Sequence, residues 1–120
     1  MTVRGVFVSA TEFLELQPGD VVFSQGDTGA TMYGVVSGSI ELRDGDAVVG
    51  VCGHDDTFGE LAIIDRSPRS LSAVAAEPTR VAVIDERTFM FLVQETPTFA
   101  MQVMRALAAR IRQLDEGRHA

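Results

Sequence analysis

FGELAIIDRSPRS, running from Phe58 to Ser70, places a glycine, two opposite charges and a short apolar run within one compact turn. Gly59 allows a positive φ, or a close approach of the backbone to a bound group that any side chain would obstruct. The run Leu61, Ala62, Ile63, Ile64 is about one helical turn long, so its first N–H groups lack carbonyl partners and face whatever lies beside Gly59 and Glu60. That arrangement suits an anion. Pro68 fixes its own φ and biases Ser67 toward extended backbone, so Arg69 arrives on a stiff segment. Its planar fork fits two phosphate oxygens. The Ser70 hydroxyl adds a donor, whereas the Glu60 carboxylate can only accept, which suits a sugar hydroxyl. The same residues also fit a surface Glu–Arg pair at a strand end, worth about 0–1 kcal/mol. The residue types alone favour that simpler account.

The wider stretch FGELAIIDRSPRSLSAVA resembles the phosphate-binding cassette of the cyclic nucleotide-binding domain family, the family of the cAMP receptor protein and the regulatory subunit of protein kinase A. There FGE, a short helix and PR followed by a small residue form the pocket. The glycine, the acid, the proline, the arginine and the apolar positions between them agree at the same spacing. Upstream, PGDVVFSQGDTGATMYGVVSGSIEL is similar to the family's first strands, and the resemblance runs from about Leu14 to Leu114. It implies a mainly β fold with C-terminal helices: an antiparallel β jelly-roll barrel (a double-stranded β-helix), a short cassette helix and two C-terminal helices.

The resemblance assigns roles as well. Glu60 would hold a ribose hydroxyl and Arg69 the cyclic phosphate, with backbone N–H groups of Gly59, Glu60, Leu61 and Ala62 around the ribose phosphate. Ser70 would touch the phosphate or a guanine, and so fits cAMP and cGMP alike. In similar domains the two C-terminal helices swing as the cassette closes, and the last one covers the base. The candidate lid positions here are Ile111, Leu114 and Asp115, which lack the hydroxyls or aromatic ring often found there.

Along the chain, Thr2 to Glu15 reads as an extended lead-in or a partial helix around Thr11 to Leu16. A turn at Gln17 to Asp20 precedes a strand over 21–24. Gly26 to Gly29 makes the next turn, Met32 to Val36 a second strand, and Ile40 and Leu42 alternate with Glu41 and Arg43 as in a half-buried strand. Asp44-Gly45-Asp46 is a hairpin signal before Val48, Val49 and Val51. Turns at this spacing suit a small barrel or jelly roll. Met32 and Tyr33 read as core, and Cys52 as a buried strand residue. Leu71 to Ala75 and Thr79 to Ile84 are two further strands, giving a barrel over about 14–84.

Beyond Ile84 the period becomes helical. Asp85 is a candidate N-cap, and Phe89, Leu92 and Val93 give an apolar face up to Glu95. Pro97 opens a second helix, because proline is accommodated in a first turn and not inside one. Phe99, Val103, Leu107, Ile111 and Leu114 form its stripe, ending near Gly117, with Met101, Met104 and Ala108 widening it. Most of this surface is expected to pack on the barrel. The surplus suits a homodimer contact.

The 120 residues suggest one domain over 1–120, with 46% hydrophobic content that is ordinary for a packed core. A net charge of −7, from 17 acidic residues against ten basic ones, repels a phosphate backbone and argues against direct DNA binding. One cysteine excludes an internal disulfide and a Cys-based zinc site, and the separated His54 and His119 leave a metal nothing to hold it. No nucleophilic triad suggests itself, so an enzyme is not expected. Without a signal peptide or apolar span the expected location is the cytoplasm, with no membrane partner.

The reading is therefore a regulatory module in signal transduction that binds cAMP or cGMP, needs no cofactor, and relays binding by moving its C-terminal helices. Only Arg118, His119 and Ala120 follow Gly117, so an effector domain is expected on a separate protein or on a longer form of this chain. The alternative is a degenerate domain of the same fold, acting in protein interaction or dimerisation without nucleotide. The presence of both Glu60 and Arg69 argues against it.

Overall fold

The computed structural model describes residues 12–119, with side chains through residue 112. Everything expected before residue 12 lies outside the described residues. Eight strands come first: β1 (Glu12–Leu16), β2 (Val21–Phe23), β3 (Thr31–Ser37), β4 (Ile40–Asp44), β5 (Ala47–Cys52), β6 (Thr57–Phe58), β7 (Ser72–Ala75) and β8 (Thr79–Asp85). The short helix α1 (Leu61–Ile64) lies between β6 and β7, and α2 (Glu86–Glu95) and α3 (Pro97–His119) close the chain. Between the two choices open for Thr11 to Leu16, the extended one holds over Glu12–Leu16, which pairs with Thr79–Val83 of β8.

The strands form two antiparallel four-stranded sheets, in the orders β1-β8-β3-β6 and β2-β7-β4-β5. A closed barrel is not formed. The described ladders stop at β1 and β6 in one sheet and at β2 and β5 in the other, so the jelly roll is a sandwich of two open sheets. Ladder irregularities between Val35 and Ser37 and between Leu42 and Arg43 bend strands that would otherwise run flat.

The sandwich explains why β3 and β8 read as nearly continuous apolar runs. Successive side chains of a strand point to opposite faces, and both faces of these two central strands are covered. Tyr33, Val35 and Val81 enter the core between the sheets with Ile40, Leu42 and Phe58. Met32, Ala82 and Ile84 turn to the other face and meet Leu92, Phe99 and Val103 from the helices. Met32, Tyr33 and Cys52 are all buried.

Asp85 caps α2, its side chain accepting from the Thr88 N–H at 2.8 Å. Thr96 alone separates α2 from α3, which starts at Pro97. The proximal part of α3 is core, since Phe99 and Val103 are 0% and 2% exposed. Truncating a buried Phe in such a place costs about 3–5 kcal/mol. Met101 on the outer face of that segment, Met104 and, farther along, Ile111 face solvent. The helix passes the expected stop at Gly117 and ends at His119. One glycine near a helix end costs only about 0.5–1 kcal/mol relative to alanine and does not force termination. No helix among the described residues is long and apolar enough to cross a membrane.

Candidate functional site

The end of β6, helix α1 and the segment before β7 form the rim of a cavity lined in part by Phe23, Gly59, Glu60, Arg69, Ser70 and Arg110. Gly59 takes φ +79, a backbone conformation that a β-carbon disfavours. Its close approach matters too, because a β-carbon there would lie 2.9 Å from Nη1 of Arg69.

Arg69 is held from every side. Its N–H donates to the Asp27 carbonyl and its own carbonyl accepts from the Gly26 N–H, both at 2.8 Å, so the backbone is fixed to the β2–β3 loop. The guanidinium donates from Nη1 to the Gly59 carbonyl at 3.0 Å and stacks 4.2 Å above the Phe23 ring. Phe23, Tyr33 and Phe58 form one aromatic cluster beneath it, with centroids 5.3–5.9 Å apart. Arg69 is only 7% exposed, yet it forms no ion pair among the described residues. Burial lowers its pKa below the ordinary arginine value, against the opposing influence of Tyr33 and Asp27.

Glu60 follows a different logic. Its backbone is already helical, at φ −66 and ψ −25, and its side chain caps nothing. The carboxylate is fully buried. One oxygen, Oε1, accepts from Nη1 of Arg110 at 2.5 Å, and the other, Oε2, has no partner among the described residues. Arg110 also reaches the Thr57 carbonyl from Nη2 at 3.5 Å.

Two larger cavities lie along α3. The first, about 170 Å³, shares Leu42 and Arg110 with the cavity beside Arg69 and adds Cys52, Thr57, Ala106 and Ala109. Burial pushes the Cys52 thiol up to about 11, so it stays protonated there. The second, about 290 Å³, shares Asp56, Thr57 and Ala106 with its neighbour and adds Gln102 and Arg105. The space beside Arg69 itself holds only about 30 Å³, with Arg110 among its lining residues.

Six residues singled out in the sequence, Gly59, Glu60, Leu61, Ala62, Arg69 and Ser70, line one cavity. The Ala62 N–H is weakly engaged, with the Gly59 carbonyl 3.4 Å away. Arg66, the neighbouring cation, points elsewhere: it is exposed and pairs with Glu86 at 3.2 Å. The expected lid differs more. Ile111 is 60% exposed and lines none of the three cavities, while the side chains of Leu114 and Asp115 lie outside the described residues. Arg110 holds the inward position instead. The apolar stripe led to Ile111, four residues after Leu107, but the position three residues after Leu107 lies on the same face. The only signal in the sequence was an arginine at that position of the stripe, and its partner Glu60 is identified by the structure.

The comparisons agree with this geometry. The cyclic nucleotide-binding domain family matches residues 13–96. A cyclic AMP receptor protein of Thermus thermophilus is 31% identical over 81% of this chain and 47% of its own length. The regulatory subunit of a cAMP-dependent protein kinase from Mycosarcoma maydis is 35% identical over 72% of this chain and 18% of its own. The crystal structure of the Thermus thermophilus catabolite activator protein superposes with a TM-score of 0.79 at 28% identity, covering 96% of this chain and 56% of that one. The chain spans about half the length of the bacterial relatives it matches. With a buried glutamate and a buried arginine facing one cavity behind FGE, and a family match over most of its length, the chain belongs to the cyclic nucleotide-binding domain family.

Proposed function

We propose that this chain is a non-catalytic sensor that binds cAMP or cGMP in the cavity behind Phe58 to Ser70 and passes the event on through α3. The observation that carries the reading is Arg69, a buried cation with no carboxylate partner among the described residues. A desolvated charge without a counter-ion is costly, and an anionic ligand supplies the missing partner. Glu60 Oε2 supports the second half of the ligand, because a buried carboxylate oxygen without a donor is ready to accept from a ribose hydroxyl. Ser70 and the backbone from Gly59 to Ala62 complete the phosphate end.

The base then extends under α3 into the cavity of about 170 Å³, between Leu42 and Cys52 on one side and Ala106 and Ala109 on the other. Arg110 lines both cavities and pairs with Glu60, so a ligand that fills them meets a side chain of α3, which links binding to the position of that helix. A cytoplasmic regulator, read as one domain and acting on an effector or as a dimer through the exposed residues of α3, follows from this reading.

Calorimetric titration with cAMP and with cGMP tests it, after unfolding and refolding to strip any retained nucleotide. Saturable binding with a Kd of about 1 μM or lower, near −8 kcal/mol, is expected. No heat and no thermal shift with either nucleotide would leave a domain of this fold that works through protein contacts.

A further inference from the structure

We infer that Thr57 is a specificity-determining residue of this site, its hydroxyl reading the exocyclic substituent at position 6 of a bound purine. The inference rests on the nucleotide reading above. Among the described residues only two buried side-chain polar atoms lack a hydrogen-bond partner, Glu60 Oε2 and Thr57 Oγ1. They belong to residues three apart, and the residues line neighbouring cavities that share Leu42 and Arg110 as walls. Glu60 lines the one beside Arg69, and Thr57 the wall shared by the two larger cavities.

Thr57 is 2% exposed, and its carbonyl is already used by Arg110. Valine has the same shape and would leave no polar atom unpaired, so the hydroxyl is a cost to the empty protein. A bound ring satisfies it. With the phosphate at Arg69 and the ribose at Glu60, the rigid ring system of a cyclic nucleotide directs its base away from both. The walls met first, Leu42, Cys52 and the alanines of α3, are apolar and suit a flat face. Thr57 then offers a rotatable hydroxyl that accepts from an amino group or donates to a carbonyl oxygen. Adenine and guanine each present one of these at position 6, so Thr57 favours 6-substituted purines over unsubstituted ones.

Thr57→Val and Thr57→Ser are compared with wild type by calorimetry against cAMP, cGMP and the 3′,5′-cyclic phosphate of unsubstituted purine riboside, together with ligand-free melting temperatures. Thr57→Val is expected to weaken cAMP and cGMP by about tenfold, to leave the unsubstituted analogue unchanged, and to melt no lower than wild type. Thr57→Ser keeps the wild-type ranking. Equal loss for all three ligands, unchanged binding of cAMP and cGMP, or a lowered melting temperature of the valine variant would overturn the inference and leave the nucleotide reading intact. A wild-type protein that binds none of the three would overturn both.

Discussion

Arg110 on the last helix donates a 2.5 Å hydrogen bond to the carboxylate of Glu60, fifty residues earlier and fully buried. The arginine side chain is 26% exposed, so the pair lies at the edge of the interior. It joins the segment after β6 to α3 beside the cavity, and it is the described ion pair with a fully buried member.

Removing the arginine leaves the acid without its counter-charge. Arg110→Met is expected to lower unfolding stability in urea by about 3 kcal/mol, the lower end of the range for breaking buried pairs. Adding Glu60→Gln to that variant should recover much of the loss. If Arg110→Met is as stable as wild type, the pair does not hold α3.

Arg69 should behave in the opposite way. Arg69→Ala is expected to cost on the order of 2–5 kcal/mol of nucleotide affinity, with a smaller effect on ligand-free stability, where loss of the hydrogen bond to Gly59 and of the stacking on Phe23 is offset by removal of a buried charge without a carboxylate partner. Arg66→Ala should leave affinity unchanged, because that side chain is turned toward Glu86. Reversal of the two results would move the phosphate to Arg66.

Gly29 tests how tightly the guanidinium is positioned. A β-carbon there would lie 2.7 Å from Nη2 of Arg69, with Gly59 and Phe23 closing the other side. Gly29→Ala should therefore displace the fork and weaken binding about tenfold, near 1.4 kcal/mol, with the melting temperature within a degree or two of wild type. Wild-type affinity would mean that Arg69 moves freely on binding.

The cap on α2 gives a pH signature separate from the site. The hydrogen bonds from Thr88 hold the Asp85 carboxyl below its ordinary value of 3.8. Because the folded-state pKa is depressed, the stabilisation is present above pH 3.8 and fades as pH falls through the folded-state value. Asp85→Ala should cost about 1 kcal/mol at neutral pH and converge with wild type in acid. A difference that persists at low pH would assign the loss to something other than the charged cap.

Much of this was legible in the residues. Gly59, the acid beside it and the arginine after Pro68 pointed to a shared pocket only through the family resemblance that they carry, since the residue types alone favoured a surface pair, whereas Asp85 and Pro97 marked the helix starts directly. The open sandwich was not legible, since closure depends on which strands reach each other across the two sheet edges and no local pattern encodes that. Arg110 was missed for a similar reason. A helical stripe ranks positions by apolarity, whereas the value of Arg110 comes from Glu60, whose burial only the tertiary structure reveals. Thr57 lay in a two-residue strand beside a buried phenylalanine, and nothing local distinguishes a threonine that is satisfied from one that is not.

If α3 relays binding as proposed, the single residue between α2 and α3, Thr96, is the fulcrum of a lever arm. Arg110 lies thirteen residues beyond Pro97, about 20 Å along the axis at 1.5 Å per residue. A pivot of about 5° at Thr96 would carry its guanidinium about 1.7 Å, farther than an ion-paired hydrogen bond tolerates. In the proposed relay, the contact with Glu60 would act as an angular stop, breaking over a rotation too small to disturb Phe99, one turn from the fulcrum.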